Sequence, residues 1–296
     1  FNVPELADGI VIHAHVTGDT FDETFEYYYA GDRQEWERRY KYGLFGAGAS
    51  ALAGGRGATY FRKAPRKKKT YDKPDFSQIP GPDPEHFRIL VLYGLYTQFL
   101  QLGNSLQSCT FNGVAPEFVW CNCPPNGAEY FPGTYRELFS YNTIVLSDIN
   151  YKAIGDQGFE RICDYVHSGG NLLVTGGPYA FGNGEFQETR FSQMLPARLL
   201  GPFDLKWAGD GESWGLCKTD SGKKHTILKG ISLEQNPRVM WRHELVPKSN
   251  AKVLLTCGGK PALIVGRYGK GWIVLWTPSP TGAPPKNSVA WWSWKN

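Results

Sequence analysis

Residues 143–177 read TIVLSDINYKAIGDQGFERICDYVHSGGNLLVTGG, and this stretch decides the fold class. Thr143–Asp148 is a short apolar run typical of a buried strand. Asp156–His167 follows with apolar residues at helical spacing, and Gly169 supplies the left-handed conformation that ends such a helix. Asn171–Thr175 is a second apolar run. A strand, a helix and a strand in this order predict two parallel strands joined by a right-handed crossover.

The same alternation continues on both sides of this unit. Upstream, Phe87–Tyr93 and Glu117–Cys121 predict two more buried strands, with a helix over Tyr96–Leu106 between them and a short helix over Thr134–Phe139. Downstream, apolar runs joined by Gly-containing turns predict an antiparallel extension of the sheet: Lys252–Cys257, Pro261–Gly266 and Gly271–Trp276. The pattern therefore predicts an α/β domain over residues 87–296, with a doubly wound, mostly parallel sheet and an antiparallel C-terminal extension.

The first 86 residues do not follow this pattern. Ile10–Val16 and Thr24–Tyr29 predict strands, so residues 1–39 are expected to form an N-terminal β segment. Residues 40–86 combine a Gly/Ala-rich stretch, a basic run over Arg62–Lys69 and a Pro-rich connector. That composition favours a linker or an extended arm. The more specific alternative is a basic arm that contacts an acidic partner or surface.

Composition limits the classes of function. The 296 residues are 41% hydrophobic and 20% charged with a net charge of +4, a composition typical of soluble globular proteins. The charges are mixed outside the basic run, so no nucleic-acid partner is expected, and no apolar run is long enough to span a bilayer. The chain starts at Phe1 and stops in a Trp cluster, which favours a processed chain or a segment of a longer polypeptide. An extracytoplasmic or cell-surface location is favoured over others.

The ends of the predicted parallel strands mark a ligand crevice, because open α/β sheets bind ligands beyond the carboxyl ends of their strands. The crevice candidates are Gly94, Tyr96, Asp148, Asn150, Gly176, Gly177, Tyr179 and Glu185. Asp148 and Glu185 would be a carboxylate pair for acid/base work on a sugar. The alternative is that Asp148 caps a turn and Glu185 is a solvated loop residue.

Metal and cofactor patterns are weak. His13 and His15 share one strand face but have no evident third ligand, and Cys121 and Cys123 have no second cysteine pair to complete a zinc site. The six cysteines are consistent with free buried thiols or with one or two disulfides. The Gly-rich stretch lacks a preceding strand and a phosphate-binding Lys-Ser/Thr pair, so no cofactor and no metal are predicted.

Residues 143–177 resemble the central unit of the class I glutamine amidotransferase-like superfamily, where a strand and a helix precede "sGG-(N/G)-hydrophobic strand-GG". Lys224–Gly230 (KHTILKG) and Tyr268–Leu275 (YGKGWIVL) are similar to motifs of its non-amidotransferase members. Those members include trehalose-utilisation-like proteins, the middle domain of some β-galactosidases, and domains of bacterial surface or membrane proteins. The resemblance covers roughly Phe87 to Trp294 and implies a flavodoxin-like layout.

The chain departs from this superfamily at its nucleophile. Amidotransferases place a Cys at the centre of a G-x-C-x-G elbow, and the matching residues 175–179 (TGGPY) contain no Cys or Ser. They also need a late His-x-Glu, whereas this chain offers the adjacent pair His243-Glu244. Glutamine hydrolysis by that mechanism is therefore not expected, and the remaining catalytic candidates are Asp148, Glu185, His243 and Glu244.

Three functions are consistent with these patterns. The first is a non-catalytic, amidotransferase-like binding or assembly module of a larger carbohydrate-related or surface protein. The second is a sugar-processing enzyme of the trehalose-utilisation-like kind. The third is a structural subunit whose arm wraps a neighbour in a homo-oligomer or filament. The aromatic content of 15% suits both carbohydrate stacking and interface packing, so the expected partners are other domains, copies of the chain or a carbohydrate.

Overall fold

The computed structural model describes the strand backbone of residues 10–18, 21–29 and 59–63, and residues 73–94, 110, 113–123, 127–202 and 204–294 in full. The chain divides into two compact units, Phe1–Asp72 and Lys73–Asn296.

The first unit contains a three-stranded antiparallel sheet in the order β1-β2-β3. Its strands are β1 (Ile10–Gly18), β2 (Phe21–Tyr29) and β3 (Thr59–Lys63). Strands β1 and β2 contain the two predicted runs. Strand β3 lies inside the stretch that the sequence assigned to an arm, and it pairs with β2 from Thr59↔Tyr29 to Lys63↔Phe25. The other residues between 30 and 72 lie outside the described residues.

The second unit is built on a nine-stranded sheet in the order β11-β10-β14-β15-β16-β7-β6-β4-β5. Its strands are β4 (Arg88–Tyr93), β5 (Glu117–Asn122), β6 (Thr143–Ser147), β7 (Asn171–Thr175), β10 (Trp214–Lys218), β11 (Arg238–Val239), β14 (Lys252–Cys257), β15 (Lys260–Tyr268) and β16 (Gly271–Trp276). Strands β5, β4, β6, β7 and β16 run parallel, and β15, β14 and β10 continue antiparallel. This arrangement confirms the predicted α/β class.

Two small sheets stand apart from the large one. Strands β9 (Leu205–Trp207), β12 (Trp241–His243) and β17 (Pro278–Ser279) form one, with β12 in the middle. Strands β8 (Ala197–Leu199) and β13 (Leu245–Pro247) form the other. Each strand has only two or three residues, too few for a periodic signal in the sequence.

Four α-helices are present among the described residues: α1 (Tyr135–Leu138), α2 (Gly155–Ser168), α3 (Arg190–Met194) and α4 (Asp220–Lys223). Short 3₁₀ helices span Phe76–Gln78, Tyr151–Ala153, Thr226–Leu228 and Trp291–Ser293. Helix α2 ends at Gly169, whose φ of 127° gives the expected glycine stop. The helix predicted over residues 96–106 lies outside the described residues, and no described helix is both long and apolar enough to cross a membrane.

The main core lies between α2 and one face of the large sheet. Phe159 and Ile162 of α2 are fully buried against it, beside Leu90 and Leu146 of the central strands. Burying such a side chain stabilises the fold by about 1.5–3 kcal/mol, which explains why the apolar face of α2 defines the domain. Among the described cysteines, all five carry free thiols: Cys121, Cys123, Cys163, Cys217 and Cys257.

Candidate functional site

The loop that follows β7 forms a tight turn, residues 176–179, which we call the elbow turn. The Gly176 amide donates a hydrogen bond to the Trp276 carbonyl at 2.6 Å, and the Tyr179 amide donates one to Asp148 Oδ1 at 2.8 Å. The elbow turn is therefore held from two sides, by the end of β16 and by the residue that follows β6.

Asp148 brings the ends of three parallel strands together. It follows β6 in a left-handed conformation with φ of 53°, which Asp tolerates better than most residues, and it is 1% exposed. Its backbone carbonyl packs so tightly against Gly94, at the end of β4, that a Cβ there would lie 1.8 Å from the oxygen. The predicted crevice residues Gly94, Asp148 and Gly177 are thus neighbours in the structure.

Gly177 is the central residue of 175–179, the stretch that the sequence analysis matched to the amidotransferase elbow. A Cβ atom built on Gly177 would lie 2.1 Å from Asp148 Oδ1 and 2.5 Å from its Cγ. Real Cβ contacts do not occur at such distances, so the Asp148 carboxylate fills the space that a nucleophilic side chain would need. At Gly176 a Cβ would lie 2.5 Å from the Thr277 carbonyl oxygen, so that position is closed as well.

His243 reaches the elbow turn from the small sheet. Its Nε2 lies 3.0 Å from the Gly177 carbonyl oxygen and 3.4 Å from the Gly177 amide nitrogen. Its Nδ1 lies 2.9 Å from Asp204 Oδ1, and a carboxylate accepts, so Nδ1 carries a proton. The ring also packs edge-to-face against Phe181 at 4.9 Å between centroids. Both His243 and Asp204 have fully buried side chains.

Asp204 also holds the loop that follows the elbow turn. Its Oδ2 accepts from the Gly182 amide at 2.9 Å and its Oδ1 accepts from the Asn183 amide at 3.1 Å. The carboxylate therefore has three donors, which offset the cost of burying its charge. The sequence did not single out Asp204, because the β9–β12 pairing that carries it towards His243 leaves no local motif.

The remaining candidates have other partners. Glu185 has φ of 64° and its carboxylate pairs with Lys152 Nζ at 2.9 Å. Glu244 pairs with Arg242 Nη2 at 3.0 Å. Asn150 caps the 3₁₀ helix that follows it, accepting from the amides of residues 152 and 153. Tyr96 lies outside the described residues.

A histidine beside a carboxylate is the base-and-orienter pair of a nucleophilic triad, and here the histidine ring faces the backbone of Gly177. Within residues 73–94, 113–123, 127–202 and 204–294, no three His, Cys, Asp or Glu side chains cluster as a metal site would require.

Aromatic side chains lie near the same small sheet. The Trp207 and Trp241 rings stack at 5.7 Å between centroids, with Trp241 buried. The Arg242 guanidinium lies over the Trp214 ring at 3.8 Å and donates to the Cys257 carbonyl. These contacts connect β12, which carries His243, to the neighbouring strands. They therefore help to fix the position of the histidine.

Comparison with known proteins agrees with this architecture. The model of a family described as "Putative glutamine amidotransferase" matches residues 121–296. No curated protein matches the chain. A solved structure of a cytoplasmic protein from Salmonella typhimurium LT2 is similar, with a TM-score of 0.54 and 21% identity over 66% of this chain and 89% of that one. A ThuA-like protein from Parabacteroides merdae has a TM-score of 0.46 and 18% identity, over 67% and 81% of the two chains. At 21% identity, the likeness to the Salmonella protein shows the fold alone.

Proposed function

The chain belongs to the family described as putative glutamine amidotransferases, and we propose that it is a non-catalytic member that serves as a binding or assembly module. Family membership confirms the resemblance seen in residues 143–177 and 268–275.

The observation that carries the proposal is the closed elbow turn. A nucleophile must project from the turn towards substrate, and Gly177 has no side chain. Any Cβ at this position would collide with the Asp148 carboxylate. The elbow turn therefore lacks a nucleophilic side chain and has a neighbouring carboxylate in the space that one would need, which supports a module without the hydrolytic function.

The buried histidine supports the same proposal. A general base must reach the proton it removes, and the His243 side chain is fully buried with both ring nitrogens near protein atoms. Its contacts hold Gly177 and, through Asp204, the loop at Gly182. We infer that the His243–Asp204 pair has become a structural brace of the elbow turn.

We extend the proposal to the setting of the module, a larger carbohydrate-related or surface protein. Trp120 and Trp272 are 40% and 41% exposed, and the Arg267 guanidinium lies 4.3 Å from the Trp272 ring centroid. Exposed aromatic faces beside a polar group suit a sugar ring or a neighbouring domain. The enzyme alternative is less well supported, because Asp148 is buried and Glu185 is paired with Lys152.

The test is incubation of the purified chain with L-glutamine, with ammonia release measured against a genuine class I amidotransferase. We expect no release above buffer. The glutamine affinity label diazo-oxo-norleucine should add no mass to the chain, because no thiolate is available at the elbow turn. Glutaminase activity that disappears in His243→Gln would overturn the proposal.

A second measurement distinguishes binding from sugar processing. Native mass spectrometry of the chain with a panel of oligosaccharides reports stoichiometry and turnover together. A retained, unmodified sugar or a stable oligomer supports the module. Cleavage of a sugar, lost in Asp148→Asn, would establish the enzyme alternative instead.

A further inference from the structure

A concave site lies beside the loop that precedes α3. This side groove runs between that loop and the β8–β13 pair and has a volume of about 670 Å³. Sites for small molecules usually have 300–1,000 Å³, so the side groove is large enough for one ligand. Its lining does not include Gly177, Asp148 or His243, so it is separate from the elbow turn.

Two cationic side chains from different parts of the chain line the side groove. Arg198 is exposed on β8, and Lys248 follows β13 directly. Neither has a carboxylate within ion-pair distance among the described residues. Lys248 Nζ donates to the Gln193 carbonyl, which leaves two of its three ammonium protons for a ligand. Burial lowers the pKa of Lys248, as expected for a cation with no acidic partner.

The side groove also has one carboxylate and an apolar wall. Glu188 is an exposed lining residue, so the three charged side chains together leave an excess of positive charge. Leu200 and Val246 line the same groove and are 56% and 37% exposed. Covering such side chains is favourable at roughly 25 cal/mol per Å² of apolar surface removed from water.

We propose that the side groove binds a small amphipathic organic acid. The anionic group lies near Arg198 and Lys248, and the apolar body covers Leu200 and Val246. Charge complementarity favours an acid over a neutral or cationic molecule of the same size, and the apolar wall favours a hydrocarbon body over a bare anion. This site does not depend on whether the elbow turn is catalytic.

The test uses two fluorescent probes that differ by one charged group. Anilinonaphthalene sulfonate is anionic, and N-phenylnaphthylamine has the same ring system without the sulfonate. We expect the anionic probe to bind with one-to-one stoichiometry and more tightly than the neutral one. Octanoate should displace it at lower concentration than octanol does.

Charge variants identify the site. Arg198→Gln and Lys248→Met should each weaken the anionic probe by about threefold to fivefold, and Glu188→Gln should tighten it by a similar factor. Lys252→Gln, an exposed cation on β14 outside the side groove, is the matched control and should leave the affinity unchanged. The neutral probe should respond to Leu200→Ser and not to the charge variants.

Two results would overturn the proposal. One is equal affinity of wild type, Arg198→Gln and Glu188→Gln for the anionic probe. The other is equal affinity of the two probes for wild type. If Lys248→Met loses its near-ultraviolet circular dichroism, the two exposed variants, Arg198→Gln and Glu188→Gln, still decide the question because neither side chain supports the core.

Discussion

At the scale of single residues, the packing of the elbow turn depends on Gly177 having no side chain. Asp148 Oδ1 accepts a hydrogen bond from the Tyr179 amide and lies where a Cβ atom of residue 177 would be. The carboxylate and the glycine are therefore coupled: a larger residue at 177 displaces the carboxylate, and the displaced carboxylate leaves a buried amide unpaired.

We predict that Gly177→Ala destabilises the chain by about 1–3 kcal/mol, because the added methyl group overpacks a rigid turn. Urea unfolding followed by circular dichroism measures the change. Gly133→Ala is the control, because a Cβ at Gly133 has no atom within 4 Å, and it should stay within about 0.5 kcal/mol of wild type. Equal stability of the two variants would show that the elbow turn has room for a side chain.

At the scale of elements, one buried carboxylate ties α2 to three other segments. Asp164 accepts from Lys73 Nζ at 2.8 Å, from Arg190 Nη1 at 2.7 Å and from the Tyr135 hydroxyl at 2.8 Å. These donors belong to the segment before β4, to α3 and to α1. The network therefore fixes the outer side of α2, while its apolar face packs on the sheet.

The same network makes stability depend on pH. Burial alone would raise the pKa of Asp164, but the hydrogen bonds from Lys73, Arg190 and Tyr135 outweigh it and hold the pKa below its ordinary value. A depressed pKa in the folded state stabilises the fold above the unfolded-state value of about 3.9, and this contribution is lost as the pH falls through the lower, folded-state value.

We predict that Asp164→Asn lowers the free energy of unfolding by about 2 kcal/mol at pH 7. The difference from wild type should shrink as the pH falls below about 4, where the unfolded chain binds the proton first, and it should be lost once the pH passes the lower pKa of folded Asp164. Urea unfolding across this range measures both. Asp220→Asn, at a side chain that is 94% exposed, is the control and should change little at any pH. A difference that stays constant with pH would contradict the role of the charge.

At the scale of the whole molecule, the second unit contains its own core. The buried cluster around Phe159 and Leu90 draws on segments between Phe76 and Leu275. Lys73, the first residue of this unit, pairs with Asp164 inside it. A domain with a complete core is expected to fold alone.

We predict that a chain of residues 73–296 unfolds cooperatively, with the near-ultraviolet circular dichroism of the tryptophan-rich second unit preserved. Its denaturation midpoint should match that of the corresponding transition in the full chain. A non-cooperative transition, or exposed apolar surface in the truncated chain, would mean that the first unit contributes to the core of the second.

The regular elements of the second unit could be predicted because their signals are local. Strands Lys252–Cys257 and Gly271–Trp276 have the bounds that the sequence indicated, and α2 begins one residue earlier and ends one residue later than predicted. The apolar period of a strand or helix and the glycine that ends it lie within a few adjacent residues. No such signal marks β8, β9, β12, β13 or β17.

The sequence by itself determined the α/β alternation and the missing nucleophile, because both are matters of residue identity and local spacing. Only the tertiary structure decided that Asp148 fills the space at Gly177, that Asp204 orients His243 against the elbow turn, and that Glu185 and Glu244 pair with cations. These contacts join residues 29 to 66 positions apart, or depend on which way a side chain leaves a short strand. Contacts between residues so far apart in the sequence form only when the loops fold over the core. The path of each loop depends on how the whole domain packs, so no local stretch of sequence encodes these contacts.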